Sequence, residues 1–142
     1  YENYEIISRL LEGNFINYKA AIPLTSSTQI KVNTRNLIEC IERTSLIITD
    51  KSSPVRCSVE NGIMKFSSVT AIGTASDKIA TEIEGNNIEI GFNNRYLLEA
   101  LRSCDTDEVL INLNGSLSPA VIVPPEGDSF LYLILPVKIK SE

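Results

Sequence analysis

The chain has 142 residues, 43% of them hydrophobic and 22% charged, with a formal net charge of −5. This composition is typical of one globular domain with a buried core, and it argues against a free-standing basic nucleic-acid binder. The sequence contains no histidine, which removes the commonest general base and the commonest metal ligand. We therefore expect no enzymatic activity, no metal site and no cofactor.

Residues 1–23 form an apolar stub and a linker that ends at Pro23. A strand is predicted next at Thr28–Asn33, followed by a helix that Thr34 caps and that runs to about residue 45. Alternating apolar residues then predict two strands, over 55–59 and 64–68, joined by a tight turn at Asn61-Gly62. A third strand fits residues 75–84.

The second half of the chain shows the same order of elements. A strand over 88–92 leads into a helix that Asn94 can cap, and another strand covers 109–113. A second tight turn of the same kind is predicted at Asn114-Gly115. Strands follow over 120–123 and 130–137, and Pro136 is expected to end regular pairing because it lacks an N–H group.

The two helical segments are an internal repeat. Asn, Arg, Leu and Glu at positions 33, 35, 37 and 39 recur at a spacing of 60. Such a repeat indicates one supersecondary unit used twice, here β-α-β-β-β. The predicted fold is therefore an α+β domain with its two helices side by side on one face and its sheets outside.

Each predicted helix also carries a polar stripe of arginine and glutamate. A solvated face with weak i, i+4 pairs is the more common explanation of such a stripe. The alternative is contact with a phosphate backbone. The arginines that would make this contact are Arg35, Arg43, Arg95 and Arg102.

The end of the chain and the cysteines each have a simple explanation. The apolar run from Tyr132 to Ile139 fits either a last core strand or the lining of a groove for a partner peptide. Cys40, Cys57 and Cys104 are an odd number at wide spacings, which favours reduced thiols in a cytoplasmic protein.

No apolar run approaches the roughly 18 residues of a membrane span. Since the chain begins at Tyr1 and not at Met, we expect it to be a piece of a longer protein.

Three segments in this order resemble the bacterial sliding clamp, the beta subunit of DNA polymerase III. They are Leu10–Tyr18 with the linker end Ile22-Pro23, the run Ile88–Asn93, and the ending Tyr132–Lys138. The resemblance covers nearly the whole chain. It implies that residues 1–23 are the end of the family's second domain and the interdomain linker, and that residues 24–142 are its third domain.

The resemblance implies a non-catalytic processivity factor of DNA replication, a head-to-tail homodimeric ring around duplex DNA. The two helices would line the hole, with the four arginines facing DNA regardless of its sequence. The implied partners are the DNA polymerase III alpha subunit, the clamp loader and other proteins with a clamp-binding motif, and no membrane. The contact between subunits is expected near Ile47 and Ile48; the alternative for these two apolar residues is a place in the core.

The family also captures short peptide motifs in a hydrophobic pocket between its second and third domains. The matching positions are Ile16, Tyr18, Ala20, Ala21, Pro119, Leu133, Leu135, Pro136, Val137 and Lys138. Many members have Pro in place of Ile16 and Arg in place of Ala20, so we expect an apolar pocket that lacks one donor and prefers different peptides. The competing hypothesis is a peptide-binding scaffold domain with no role on DNA.

Overall fold

A computed structural model describes residues 3–49 and 54–139. Residues 1–2, 50–53 and 140–142, which belong to the predicted segments 1–23 and 24–142, lie outside the described residues. A 3-10 helix, Tyr18–Ala21, comes first. The first half then contains β1 (Thr28–Asn33), α1 (Thr34–Ser45), β2 (Val55–Glu60), β3 (Ile63–Thr70), β4 (Gly73–Ala80) and β5 (Glu82–Gly85). The second half contains β6 (Ile88–Phe92), α2 (Asn94–Arg102), β7 (Glu108–Leu113), β8 (Ala120–Val123), β9 (Tyr132–Ile134) and β10 (Pro136–Val137).

The two halves exchange strands to build two equivalent antiparallel sheets. The first sheet has the order β5-β1-β7-β8-β9 and the second has the order β10-β6-β2-β3-β4. Replacing each strand by its counterpart in the other half converts one order into the other. The repeat in the sequence is therefore a repeat in space, and neither half forms a complete sheet without the other.

The last strand of each unit is broken, which corrects the prediction of single strands over 75–84 and 130–137. The break at Thr81 separates β4 from β5, and the break at Leu135 separates β9 from β10. In both cases the two pieces join different sheets, which one uninterrupted strand cannot do. The prediction that Pro136 ends regular pairing is also wrong: β9 ends at Ile134, and Pro136 begins β10 opposite Phe92. A proline is tolerated as the first residue of a strand.

The residues that cap the helices are also different from those predicted. Asn33 and Asn93, one position earlier than Thr34 and Asn94, accept hydrogen bonds through their side chains from the N–H groups of Asn36 and Arg95, each at 3.0 Å. Asparagine is among the strongest N-cap residues. The Thr34 hydroxyl instead points inward and donates to the carbonyl oxygen of Thr106 at 2.8 Å.

Of the two predicted tight turns, one is confirmed. Asn61 and Gly62 have φ angles of 51° and 75°, as a type I′ turn requires at both central residues. The chain between β7 and β8 is instead a six-residue loop, 114–119, in which only Gly115 has a positive φ. A longer loop no longer needs the left-handed conformation at Asn114.

The core lies between the helices and the inner faces of the two sheets. Repeat-related residues such as Leu37 and Leu97 are buried there together, and α1 packs beside α2. All three cysteines are free thiols, with Cys40 and Cys57 buried in this core. Burial raises the pKa of Cys40 to about 12 and that of Cys104 to about 11, so neither is a reactive thiolate near neutral pH. The α+β prediction with paired helices is confirmed.

Candidate DNA-facing and peptide-binding surfaces

All four arginines predicted to face DNA have exposed side chains on the helix pair, and each one forms an ion pair. Arg35 donates from Nε to Glu39 at 3.1 Å, and Arg95 does the same to Glu99 at 2.9 Å. These are the i, i+4 pairs expected from the repeat, one in each helix. Pairs of this type on an exposed helix contribute little to stability, because solvent screens them.

Arg43 and Arg102 form pairs that connect different elements. Arg43 Nε donates to Asp77 of β4 at 2.7 Å, and a second guanidinium nitrogen lies 3.7 Å from Glu39. The hydrogen bond from Arg43, with its positive charge, holds the pKa of the Asp77 carboxyl below its ordinary value. Arg102 in α2 donates to Glu42 in α1 at 2.6 Å. These two arginines therefore tie α1 to the edge of a sheet and to its partner helix.

A groove runs between the N-terminal end of α1 and the C-terminal end of α2. It has a volume of about 550 Å³, and both Arg35 and Arg102 line it. The rest of its lining is mixed: it includes polar Asn36 and Thr106, half-buried Ile38, buried Leu101 and the acidic Asp107. The helix pair thus presents cationic groups along an open depression, and the paired carboxylates lie next to them.

The terminal residues of the predicted peptide pocket lie along the edge of the first sheet and beyond it. Leu133 of β9 is half-buried opposite Val121 of β8, on the sheet face that points away from the helices. Leu135 follows β9 with 69% of its side-chain surface exposed. Pro136 and Val137 form β10 and are half-buried, and Lys138 is exposed. Pro119 is half-buried just before β8.

The linker residues of the predicted pocket are all exposed. Tyr18, Ala20 and Ala21 belong to the 3-10 helix, and Ile16 precedes it with 75% exposure. The Phe15 and Tyr18 rings contact each other edge to face, with their centroids 6.3 Å apart. The linker part of the predicted pocket thus presents exposed apolar surface, whereas in the terminal part Leu135 is exposed and its apolar neighbours are half-buried.

Sequence reasoning missed one residue of this region, Val121. It is only 6% exposed although it lies on the outward face. The chain after the linker covers it, forming a cavity of about 110 Å³ lined by Pro23, Leu24, Thr25, Ser26, Asn112, Asn114 and Val121. The run Ala120–Val123 is apolar at every position, and such a run indicates a strand that is covered on both faces.

The predicted subunit contact lies beside an unpaired strand edge. Ile47 and Ile48 follow α1 and are half-buried. The last turn of that helix is tied to β4 through Arg43 and Asp77. Among the described residues β4 pairs only with β3, and all eight of its residues are in register with that strand.

Comparison with known proteins decides the family. The model of the DNA polymerase III beta subunit, C-terminal domain, matches residues 19–138. This chain belongs to that family. The beta sliding clamp of Staphylococcus epidermidis is 32% identical over 139 residues, which are 96% of this chain and 37% of that protein.

Solved sliding clamps have the same fold. The Bacillus subtilis clamp superposes with a TM-score of 0.89 at 32% identity, covering 94% of this chain and 36% of that one. The clamp of Bartonella birtlesii, crystallised with griselimycin bound, has a TM-score of 0.88 at 31% identity and covers 93% and 36%. The sliding-clamp domain described here thus spans a little over a third of its relatives.

Membrane-spanning helices and metal clusters are both absent from the described residues. Neither α1 nor α2 is long and apolar enough to cross a membrane. Residues 3–49 and 54–139 contain no cluster of three or more cysteine or acidic side chains that could hold a metal ion.

Proposed function

We propose that this chain is the last domain of a non-catalytic clamp, a homodimeric ring that encircles duplex DNA and holds partner proteins on it. The observation that carries the proposal is the placement of arginines at equivalent positions of two adjacent helices, in a domain of the sliding-clamp family. Phosphate contacts from arginine are independent of base sequence, as a protein that moves along DNA requires.

The exposure of the N-terminal segment supports the domain boundary that we propose. Ile6, Ile7, Leu10 and Leu11 are each at least 87% exposed. Such a run of exposed apolar residues marks a surface that another structure covers. We assign residues 1–23 to the end of the preceding domain and the linker, and residues 24–142 to the last domain.

The partner site that we propose is the apolar surface formed by the linker residues and the end of the chain. Exposed Leu135 and half-buried Leu133 and Val137 supply one wall of it. Burying one leucine-sized anchor is worth about 1.5–3 kcal/mol, so a short peptide from a polymerase or a clamp loader binds weakly. Two pockets in one ring, with partners on the same DNA, raise the effective concentration and make such weak binding sufficient.

The peptide site is tested with a short peptide of the form Gln-Leu-x-Leu or Gln-Leu-x-Phe and the full-length clamp that carries this domain. Leu135→Asp is expected to abolish binding, measured by fluorescence anisotropy, because it places a charge where the peptide buries an apolar side chain. Leu46→Asp, at another exposed leucine (81% exposed), is the matched control. Undiminished binding by folded Leu135→Asp protein would remove the pocket assignment.

The ring contact that we propose joins Ile47, Ile48 and the free edge of β4 to a second subunit. An unpaired edge strand is a template for pairing with another chain, and the adjacent isoleucines add apolar area. In the full-length protein, Ile47→Asp with Ile48→Asp should convert dimers to monomers in sedimentation experiments. A dimer of unchanged stability would exclude this contact.

A scaffold with no role on DNA is the alternative. The double variant Arg35→Gln/Arg95→Gln distinguishes the two hypotheses, because both side chains are exposed and their ion pairs among the described residues are i, i+4 pairs within one helix. A clamp with these changes should diffuse faster along DNA or lose retention, whereas a scaffold should be unaffected.

A further inference from the structure

The arginines of the helix pair are matched one for one by carboxylates. The four arginines of α1 and α2 pair with Glu39, Glu42, Glu99 and, from β4, Asp77, with the shortest N–O distances between 2.6 and 3.1 Å. The surface is therefore close to neutral. Phosphate can contact any of these arginines only in competition with a carboxylate that is already in place.

One of these pairs has a special position. Glu42 and Arg102 are 60 residues apart, the same spacing as the internal repeat, so they are equivalent positions of the two helices. Where equivalent positions meet across an approximate twofold axis, identical charged residues would face and repel each other. Here the two copies have diverged to opposite charges, and the result is an attractive contact at 2.6 Å.

The location of Arg102 makes this pair relevant to DNA. Arg102 lines the groove between the helices together with Arg35, whereas Glu42 holds its guanidinium from the α1 side. Both side chains of the pair are about half exposed, 56% and 44%, so a polyanion in the groove can reach them. Exposed ion pairs of this kind are weak, so a phosphate can displace the carboxylate.

We infer that Glu42 sets how tightly the helix surface holds DNA, by competing with phosphate for Arg102. The inference rests on the proposed function, since it assigns a role within the DNA-facing surface. Neutral glutamine at position 42 keeps the size of the side chain and frees the charge of Arg102 beside Arg35. The surface then gains one phosphate contact, which strengthens its hold and makes it more dependent on salt.

The test is the diffusion of loaded full-length clamps along duplex DNA, followed by single-molecule tracking in a salt series. E42Q is expected to diffuse about threefold more slowly than the wild type at 50 mM salt, with the difference largely gone at 200 mM, the change that one added phosphate contact produces. E126Q is the matched control, because it removes the same charge from an exposed residue of the loop between β8 and β9. Its diffusion should equal that of the wild type.

Two further variants keep the outcomes distinct. The double variant E42Q/R102Q should diffuse like the wild type, because no arginine is released. If E42Q and E126Q diffuse alike at every salt concentration, the inference about Glu42 is wrong. If the double variant Arg35→Gln/Arg95→Gln nevertheless alters diffusion, the proposed DNA-facing surface is still supported. If none of these variants alters diffusion, both the inference and the proposed DNA-facing surface are wrong.

Discussion

The two halves of this domain share a frame but differ at their edges. β4 and β9 occupy equivalent edge positions, yet β4 has eight residues and β9 has three. The strand before β4 is joined to it by a short turn at residues 71–72, whereas residues 124–131 form a longer connection before β9. Core positions are constrained by many neighbours, and edge positions are constrained by few. The duplicated unit has therefore kept its core and has diverged where we propose that partners bind.

The largest expected effect tests whether the two halves form one core. Leu37 and Leu97 are repeat-related and buried, at 0% and 3% exposure. Leu37→Ala and Leu97→Ala should each lower the free energy of unfolding by about 2–5 kcal/mol, through lost burial and the cavity left behind. Urea denaturation followed by circular dichroism measures this, with Leu46→Ala as the exposed control. A cost near zero for either core variant, or separate transitions for the two halves, would show that the halves are independent.

A smaller effect is expected at a position where the halves differ. Lys31 of β1 pairs with Glu82 of β5, and its counterpart Gly91 of β6 pairs with Val137 of β10. A Cβ atom at Gly91 would lie 2.5 Å from the carbonyl oxygen of Val137. Gly91→Ala should therefore cost about 1–3 kcal/mol and weaken peptide binding by displacing β10.

The matched control is Lys31→Ala, at the equivalent position of the other half. Lys31→Ala removes the ion pair with Glu108 at 3.0 Å and the attraction of Glu82, and solvent-exposed pairs of this kind contribute little to stability. Calorimetric unfolding and peptide anisotropy of both variants sharpen the comparison. If Gly91→Ala and Lys31→Ala changed stability and peptide binding equally, close packing of β10 against Gly91 would be excluded.

The smallest expected effect concerns pH and the tie between α1 and β4. The pKa of Asp77 is lowered by the hydrogen bond from Arg43, from an ordinary value of 3.8. Its stabilising contribution is therefore present above that value and is lost as pH falls through the lower folded-state pKa. Asp77→Asn should have a lower melting temperature than the wild type at neutral pH. In acid the two melting temperatures should converge, because the wild-type carboxylate is then protonated. Thermal melts from pH 7 to pH 2 measure this.

Asp128→Asn, in the exposed loop before β9, controls for the loss of one negative charge. A constant difference between Asp77→Asn and the wild type across the pH range would exclude the carboxylate as the source of the stabilisation. The counterpart at the other edge is an uncharged hydrogen bond, from the hydroxyl of Tyr132 in β9 to the carbonyl oxygen of Ser103 at the end of α2, at 3.1 Å. The result therefore bears on how the two edges differ.

Much of the fold could be predicted from local signals. Period-two alternation marked most of the strands, the Asn61-Gly62 pair marked a tight turn, and four repeated residues at a spacing of 60 marked the duplicated helix. These signals depend on backbone preferences and on which residues are apolar, and both are properties of short segments. The resemblance to sliding clamps added the family, which the comparisons show.

The remaining features depend on contacts between distant segments. The break at Thr81 follows from the need of one strand to serve two sheets, and nothing in residues 75–84 alone requires it. The cap of α1 is Asn33 and not Thr34 because the Thr34 hydroxyl bonds to the carbonyl oxygen of Thr106, 72 residues away. Arg35 and Arg95 pair with Glu39 and Glu99, the partners that helical spacing predicts. The partners of Arg43 and Arg102 lie on the edge strand β4 and on the other helix. Only the tertiary structure could identify them, because it decides which charges come within hydrogen-bonding distance.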